Sequence, residues 1–361
     1  MSFFSKYILP GFIFQSVVIG GGYATGRELV EFFFSAGPVG GVLGLLMAGL
    51  VFGVVLAAGF EFARVTGAYD YRHFCRELLG RGWVLFEVAY FILMLLILSV
   101  IGSAAGALLS DMFGVTPLVG TLFLMGFIGV LTFTGSSIIA QVLSWWSVLL
   151  YAVYITMFVL AYKNFGADIA HTFETAPNTN GWISGGVLYA GYNLATLPAV
   201  LFAIKALNTR RETVGAGLIA GAIAVVPAIL FFTAMMGRFP EIGSEPVPST
   251  YLMAQIHSGW LAVVFQVVIF GTFVETGTAL LHSVNERLEG SFEDKGKTLP
   301  RMARPLVAIG FLAIAIFAAE TFGIVNLIAQ GYGLLTLVFI AILVVPILTI
   351  GVYKSVKKGA V

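Results

Sequence analysis

The sequence predicts an all-α integral membrane protein with ten transmembrane helices, arranged as two inverted repeats of five. Its composition gives the first evidence: of 361 residues, 59% are hydrophobic and 10% are charged, and the mean hydropathy is +0.99. A soluble globular domain is less apolar and carries more charge. A single cysteine, Cys75, excludes an intramolecular disulfide framework and a cysteine-based metal cluster.

Ten apolar stretches provide the second observation. Each approaches the ~20 residues that a helix needs to cross the hydrocarbon core. We expect these spans at residues 7–34, 39–62, 83–109, 117–134, 142–162, 183–206, 214–236, 259–286, 304–320 and 323–352.

The third observation is the distribution of basic residues between the loops. Sixteen of the 19 Lys and Arg residues lie in alternate loops and at the two termini, whereas the intervening loops contain Lys163 and Arg238, and Arg27 lies within the first span. Basic loops remain on the cytoplasmic side of a membrane. The pattern therefore predicts a multi-pass protein of the inner cell membrane, in contact with the lipid bilayer, with both termini in the cytoplasm.

The first span contains three consecutive glycines, Gly20, Gly21 and Gly22. Each glycine costs a helix about 1 kcal/mol relative to alanine, so the run predicts a break near the middle of the membrane. A break is tolerated there where the exposed backbone lines a cavity or binds a ligand. Close helix packing through Gly22 and Gly26 is the alternative interpretation.

The sixth span is predicted to be interrupted at the corresponding place. Dividing the chain into residues 1–163 and 183–353 gives two five-helix repeats, and because five is odd the second repeat is inverted relative to the first. Gly191, Tyr192, Asn193 and Pro198 lie near the centre of its first helix. Helix breakers at corresponding positions of two repeats indicate a transporter binding site.

A substrate site is therefore expected where the two breaks meet. Tyr192 and Asn193 could instead form a local turn, and the serine of the third span could bond to its own backbone. The predicted substrate-binding residues are Gly20, Gly21, Gly22, Thr25, Ser99, Gly191, Tyr192 and Asn193.

The eighth span carries an acidic residue, Glu275, near its centre. An unpaired charge there costs at least ~2.5 kcal/mol, so such residues are usually functional. Thr272, Ala279 and His282 share its helix face. Glu275 could ligate Na⁺, carry a proton, or be held structurally by a buried hydrogen bond or by Arg27.

Three charged residues, Arg27, Glu28 and Glu31, follow the first break. In a straight helix they would lie ~9–15 Å from the break toward the outside, because the rise is 1.5 Å per residue. We expect them to form an outer gate or to contact substrate. A static ion pair within the first helix is an equal alternative.

The GGGYATG and YAGYN breaks, together with the inverted arrangement, resemble the amino acid, polyamine and organocation (APC) transporter superfamily with its LeuT-like fold. GGGYATGREL and the GIVNLIAQGYG stretch at 323–333 resemble its putative amino acid permease family. The resemblance implies a coupling Na⁺ between Ser16 and Ile19 of the first helix and Glu275 and Thr276 of the eighth. This chain departs from the family pattern by offering a carboxylate and a threonine instead of two adjacent hydroxyls.

These observations predict a cation-coupled secondary active transporter, driven by Na⁺ or H⁺, for a small polar organic solute such as an amino acid or a related amine. A channel or facilitator is the alternative. An enzyme is not expected, since no nucleophile-elbow, HExxH or P-loop pattern occurs. We expect no cofactor apart from bound Na⁺, no nucleic acid partner, and a monomer or a weak homo-oligomer.

Overall fold

The computed structural model describes residues 2–134, 137–293, 300 and 302–359, and within these residues it is helical, without β-strands. Seven helical stretches in this part of the chain are long and apolar enough to cross a membrane, and Pro117–Thr132 is a shorter apolar helix. The prediction of an all-α protein with several membrane spans is confirmed.

The N-terminal segment is interrupted twice. Helix α1 covers Leu9–Val18, α2 covers Gly21–Thr25 and α3 covers Arg27–Phe33. Between α1 and α2 the backbone leaves the helical region, because Ile19 has ψ 67° and Gly20 is extended. Gly26 then adopts φ +81°, which favours glycine, and turns the chain between α2 and α3.

The following helices form the body of the bundle. Where α9 ends, the chain continues directly as a 3₁₀ helix over Leu194–Ile204, which contains Pro198. The expected break in this helix is therefore a change in hydrogen-bonding pattern, since Asn193 and Leu194 both keep right-handed helical angles. The helices are α4 (Gly37–Thr66), α5 (Tyr71–Leu79), α6 (Trp83–Phe113), α7 (Pro117–Thr134), α8 (Ser137–Thr175), α9 (Trp182–Asn193) and α10 (Arg210–Met235).

The C-terminal part contains a further kink at Gly323, where φ is +68°. Beyond it, three π-helical stretches alternate with α-helix. The elements are α11 (Pro248–Gln255), α12 (Gly259–Glu293), α13 (Ala303–Asn326), a π-helix (Leu327–Tyr332), α14 (Gly333–Phe339), two π-helices (Ile340–Val344 and Ile347–Gly351) and α15 (Val352–Gly359).

Helices α4 and α10 approach closely through small residues. A Cβ atom added to Gly217 would overlap the backbone of Ala57, and one added to Gly221 would overlap the backbone of Gly53. Small residues allow such contacts between membrane helices. Glycines of these two helices therefore serve packing, whereas Gly20 lies where an added Cβ meets nothing within 4 Å.

Polar contacts define two ends of the bundle. At one end, Lys6 pairs with Glu212, Lys354 donates to the carbonyl of Glu77, and Arg64 Nη1 donates to the carbonyl of Asn208 at 3.3 Å. We call this the basic end. At the opposite end, Asn178 Nδ2 donates to the Ser35 carbonyl at 3.0 Å, and the Gly40 amide donates to the Asn178 carbonyl at 3.1 Å.

Candidate functional site

A cavity of about 340 Å³ lies beside the interruption between α1 and α2. Residues from α3, α6, α8, α12, the π-helix Leu327–Tyr332 and the junction of α9 with its 3₁₀ helix complete its wall, so both predicted interruptions contribute to one cavity. It is lined by Ser16, Val17, Val18, Ile19, Gly20, Gly22, Glu28, Tyr90, Leu93, Met94, Ile97, Leu150, Tyr151, Tyr192, Asn193, Thr196, Ala199, Thr272, Glu275, Thr276, Ala279, Leu280, Ser283 and Tyr332.

The structure brings all four predicted ion-coupling residues to this cavity. Ser16 and Ile19 line it from the end of α1, and Glu275 and Thr276 line it from α12. The Ser16 hydroxyl donates to the Ile13 carbonyl at 2.8 Å and keeps its oxygen as an acceptor. Carboxylate, hydroxyl and carbonyl oxygens are the donors that hard cations prefer, so this set fits Na⁺ chemically.

Four of the predicted substrate-binding residues line the cavity: Gly20, Gly22, Tyr192 and Asn193. The side-chain amide of Asn193 donates to the Tyr189 carbonyl at 2.9 Å, which fixes its orientation within α9. Gly21 is the first residue of α2, at the interruption itself.

Three other predicted substrate residues lie outside the cavity lining. Thr25 is buried, and its hydroxyl donates to the Gly22 carbonyl at 2.6 Å. The Ser99 hydroxyl donates to the Leu95 carbonyl at 2.8 Å, and Ser99 borders a groove between α6 and α13 instead. Gly191 faces away, because an added Cβ would lie 2.8 Å from a side-chain atom of Thr336.

Glu28, which the sequence placed on the outer side, lines the cavity. The straight-helix expectation is wrong because the turn at Gly26 reorients α3. The carboxylate of Glu28 accepts a hydrogen bond from the Tyr192 hydroxyl and contacts Gly22, where it occupies the space that a Cβ would need. Glu28 is 4% exposed, so this carboxylate belongs to the interior of the bundle.

Aromatic stacking holds Tyr192 in place. Its ring lies 4.7 Å from that of Tyr332 with an interplanar angle of 23°, and 5.7 Å from that of Phe32 with an angle of 22°. Both faces of the ring are therefore covered, and the hydroxyl is directed to Glu28. Offset stacking of this kind contributes about 0.5–1.5 kcal/mol per pair beyond the buried area.

Arg27 and Glu31 lie on the side of the cavity toward the opposite end. Arg27 Nη1 donates to the carbonyls of Gly243 at 2.9 Å and Glu245 at 3.3 Å, and its Nη2 lies 3.6 Å from the Glu31 carboxylate. Arg27 thus fastens α3 to the segment between α10 and α11. The Tyr154 hydroxyl also donates to the Ala24 carbonyl, which joins α8 to α2.

Toward the basic end, a second cavity of about 350 Å³ adjoins the first and shares Tyr90, Ala199 and Ser283 with it. Arg287 borders this second cavity, where its Nη1 donates to Glu87 at 2.9 Å. Its guanidinium lies between the rings of Tyr71, at 3.7 Å, and Tyr90, at 4.2 Å. The sequence did not reveal this cluster, because its members come from distant helices.

Three further tyrosines of the wall, Tyr90, Tyr151 and Tyr332, were not among the predicted substrate-binding residues. Tyr151, on α8, donates to the Gln15 side chain at 3.0 Å, and Tyr332 lies in the π-helix after α13. Tyr332 belongs to the quoted GIVNLIAQGYG stretch, so its position in a glycine-flanked segment was the available signal. Nothing comparable marks Tyr151, which lies in an ordinary apolar helix.

Solved transporters share this fold. The chain matches the inward-facing conformation of Mhp1 over 92% of its own length and 75% of that protein, with a TM-score of 0.62 and 14% identity. A mutant of the Eremococcus coleocola manganese transporter matches over 95% of this chain and 78% of its own, with a TM-score of 0.58 and 16% identity. The LeuT-like fold that the sequence resemblance implied is confirmed.

A curated relative supports the membrane assignment. It is an uncharacterized membrane protein of Bacillus subtilis strain 168, YkvI, which is 24% identical over 292 residues, 79% of this chain and 82% of the relative. No family model matches the chain.

Proposed function

We propose that this chain is a secondary active transporter that couples Na⁺ or H⁺ to the movement of a small polar organic solute, an amino acid or a related amine. The observation that carries the proposal is the cavity at the interruption between α1 and α2, which adjoins a second cavity toward the basic end. Contacts of Arg27 and Tyr154 close the bundle toward the opposite end. A cavity accessible from one side is what alternating access requires.

The proposal includes the topology predicted from the sequence. Ten helices form two inverted repeats, residues 1–163 and 183–353, with both termini in the cytoplasm and the protein in the inner membrane. In this orientation the basic end is cytoplasmic, and the structure corresponds to a state open to the inside. The fold shared with the inward-facing conformation of Mhp1 supports this reading.

Coupling is assigned to Ser16, Ile19, Glu275 and Thr276. Na⁺ bound between α1 and α12, or a proton on Glu275, would join these helices at the wall of the cavity. A cation can drive the cycle only by binding one conformation more tightly than the other. The cycle then requires release of the Arg27 contacts at the opposite end and closure of the basic end.

A channel is less well supported, because the contacts of Arg27 and Tyr154 lie between the cavity and the opposite end. A channel would need both ends open at once and would conduct far faster than a carrier turns over. Single-channel currents in planar bilayers containing the purified protein, which exceed what the turnover of a carrier supplies, would therefore contradict the carrier assignment.

A thermal-shift screen with proteoliposome uptake tests the proposal. Purified protein is mixed with amino acids and amines, each in NaCl or choline chloride and at two pH values, and MnCl₂ is included because a structural neighbour transports manganese. A ligand stabilises the folded state by RT ln(1 + [L]/Kd). We expect a solute-dependent shift and uptake that require Na⁺ or a proton gradient. Shifts with Mn²⁺ alone, or uptake indifferent to both cations, would contradict the proposal.

A further inference from the structure

We propose that the cavity selects amines without a carboxylate group, and that Glu28 is the partner of their ammonium. This inference rests on the proposed transport function and narrows its substrate class from amino acids and amines to amines alone. Three features of the cavity support this inference: the acidic residues on its wall, the Glu28 side chain that lies at the helix interruption, and the hydrogen-bond acceptors that line the cavity together with Glu28.

The wall of the cavity is acidic. Its lining includes two carboxylates, Glu28 and Glu275, and no Lys, Arg or His is among the described residues that line it. An amine brings one positive charge, which Glu28 can balance. An amino acid would add a third carboxylate without a basic partner on the wall, and an unpaired charge in a buried site is costly.

A carboxyl group of the protein itself lies at the interruption. Amide groups at the start of a helix attract anions, so a substrate carboxylate would be expected to approach there. However, the Glu28 carboxylate already contacts Gly22 in α2. Helix α2 also has only five residues, too few to offer a substantial dipole of its own. The place that a substrate carboxylate would take is therefore filled by a side chain of the protein.

Hydrogen-bond acceptors of Tyr192 and Asn193 line the cavity together with Glu28. The Tyr192 hydroxyl donates its proton to Glu28, and its oxygen can still accept a hydrogen bond. The amide nitrogen of Asn193 donates to the Tyr189 carbonyl, so its amide oxygen is left as an acceptor. An ammonium group has three donors and no acceptor. The carboxylate, the hydroxyl oxygen and the amide oxygen therefore match a primary amine.

Basic groups occur in the second cavity, toward the basic end, but they belong to another set of contacts. Arg287 pairs with Glu87 at 2.9 Å, and Arg72 donates to the Arg287 carbonyl at 2.7 Å. A carboxylate that reached these arginines would have to compete with Glu87. An amino acid bound across both cavities would reveal itself in the experiment below by binding at least as tightly as its amine.

Pairs of compounds that differ only by decarboxylation, and whose amine carries one positive charge, test the inference: tyramine with tyrosine, phenethylamine with phenylalanine, and isoamylamine with leucine. Affinities are measured by thermal shift of the purified protein, and uptake is measured in proteoliposomes under the cation conditions defined above. We expect at least one amine to bind tenfold or more tightly than its parent amino acid and to be taken up preferentially.

Variants connect the preference to Glu28. Glu28→Gln should abolish the preference for the amine, whereas Glu28→Asp, which keeps the charge, should retain part of it. Glu320→Gln is the matched control, because Glu320 is an exposed acidic residue of α13 that pairs with Thr121 at 3.2 Å and does not line the cavity. If Glu28→Gln does not fold, the comparison of compounds on the unmodified protein still decides the substrate class.

The outcomes separate the inference from the proposed function. An amino acid that binds as tightly as its amine, with cation-dependent uptake, would overturn the inference and leave the transporter assignment intact. An amine preference that survives in Glu28→Gln would overturn the role of Glu28. Absence of binding and uptake for every pair would overturn the inference, and absence for every solute in the wider screen would overturn the transporter assignment as well.

Discussion

Arg27 is expected to keep the cavity closed toward the opposite end, and Arg27→Met tests this by removing the charge while keeping a long side chain. The substitution deletes the 2.9 Å hydrogen bond to the Gly243 carbonyl, the 3.3 Å bond to the Glu245 carbonyl and the ion pair with Glu31. The two hydrogen bonds join α3 to the segment between α10 and α11 in the closed arrangement, whereas the ion pair lies within α3.

The shorter bond alone gives a lower limit for the effect. A hydrogen bond from a charged group contributes about 1.5–3 kcal/mol, and about 1.4 kcal/mol corresponds to a tenfold change in an equilibrium constant. We therefore expect Arg27→Met to raise the population that is open toward the opposite end by about tenfold or more. The longer bond adds less, and the ion pair adds nothing to the closure because Arg27 and Glu31 both belong to α3.

Labelling of one cysteine measures this population. The native Cys75 is buried and can be replaced by alanine, and Ala279→Cys then places a thiol on the exposed, cavity-lining face of α12. A membrane-impermeant maleimide is applied to vesicles of each orientation. In the parent protein we expect labelling from the basic end. In Arg27→Met we expect labelling from the opposite end to be at least tenfold faster than it is in the parent protein.

Arg238→Met is the matched control. Arg238 lies at the same end, pairs with the exposed Asp168 at 2.8 Å and stacks on Phe165 at 3.7 Å. Neither contact involves α3, and an exposed ion pair contributes less than about 1 kcal/mol. If Arg27→Met and Arg238→Met labelled at the same rate from the opposite end, Arg27 would not be part of the closure.

Three further predictions follow from single contacts. Gly22→Ala should displace the Glu28 carboxylate and weaken amine binding by about 10- to 150-fold, which is the equivalent of one charge-assisted hydrogen bond. Gly126→Ala, whose added methyl meets nothing within 4 Å, should leave amine binding unchanged. Calorimetric titration of both variants with the amine compares their affinities. Glu275→Gln should make uptake independent of the cation while binding of the solute persists, and uptake that still followed the Na⁺ or proton gradient would contradict the coupling assignment. Gly217→Ala should lower the midpoint of thermal unfolding, because its added methyl would overlap the Ala57 backbone. An unfolding midpoint equal to that of Gly126→Ala would show that α4 and α10 tolerate separation.

Local chemistry explains what the sequence predicted correctly. Apolar composition dictates membrane helices, and consecutive glycines dictate the break at Gly20, since both effects act within one stretch of chain. The faces of regular helices are also predictable, which is why Glu275 and Thr276 lie on the cavity wall as their helical positions indicated. The fold class and part of the cavity wall follow from these local rules.

The tertiary structure decided the rest. A single left-handed residue, Gly26, turned Glu28 from the expected outer position into the cavity, and no helical periodicity could carry across that turn. Ser99 and Gly191 face other helices because packing partners, which the sequence does not name, determine which side of a buried helix meets the cavity. The alignment of Tyr192 between Phe32 and Tyr332 likewise joins three distant segments, so its role depends on how the bundle assembles.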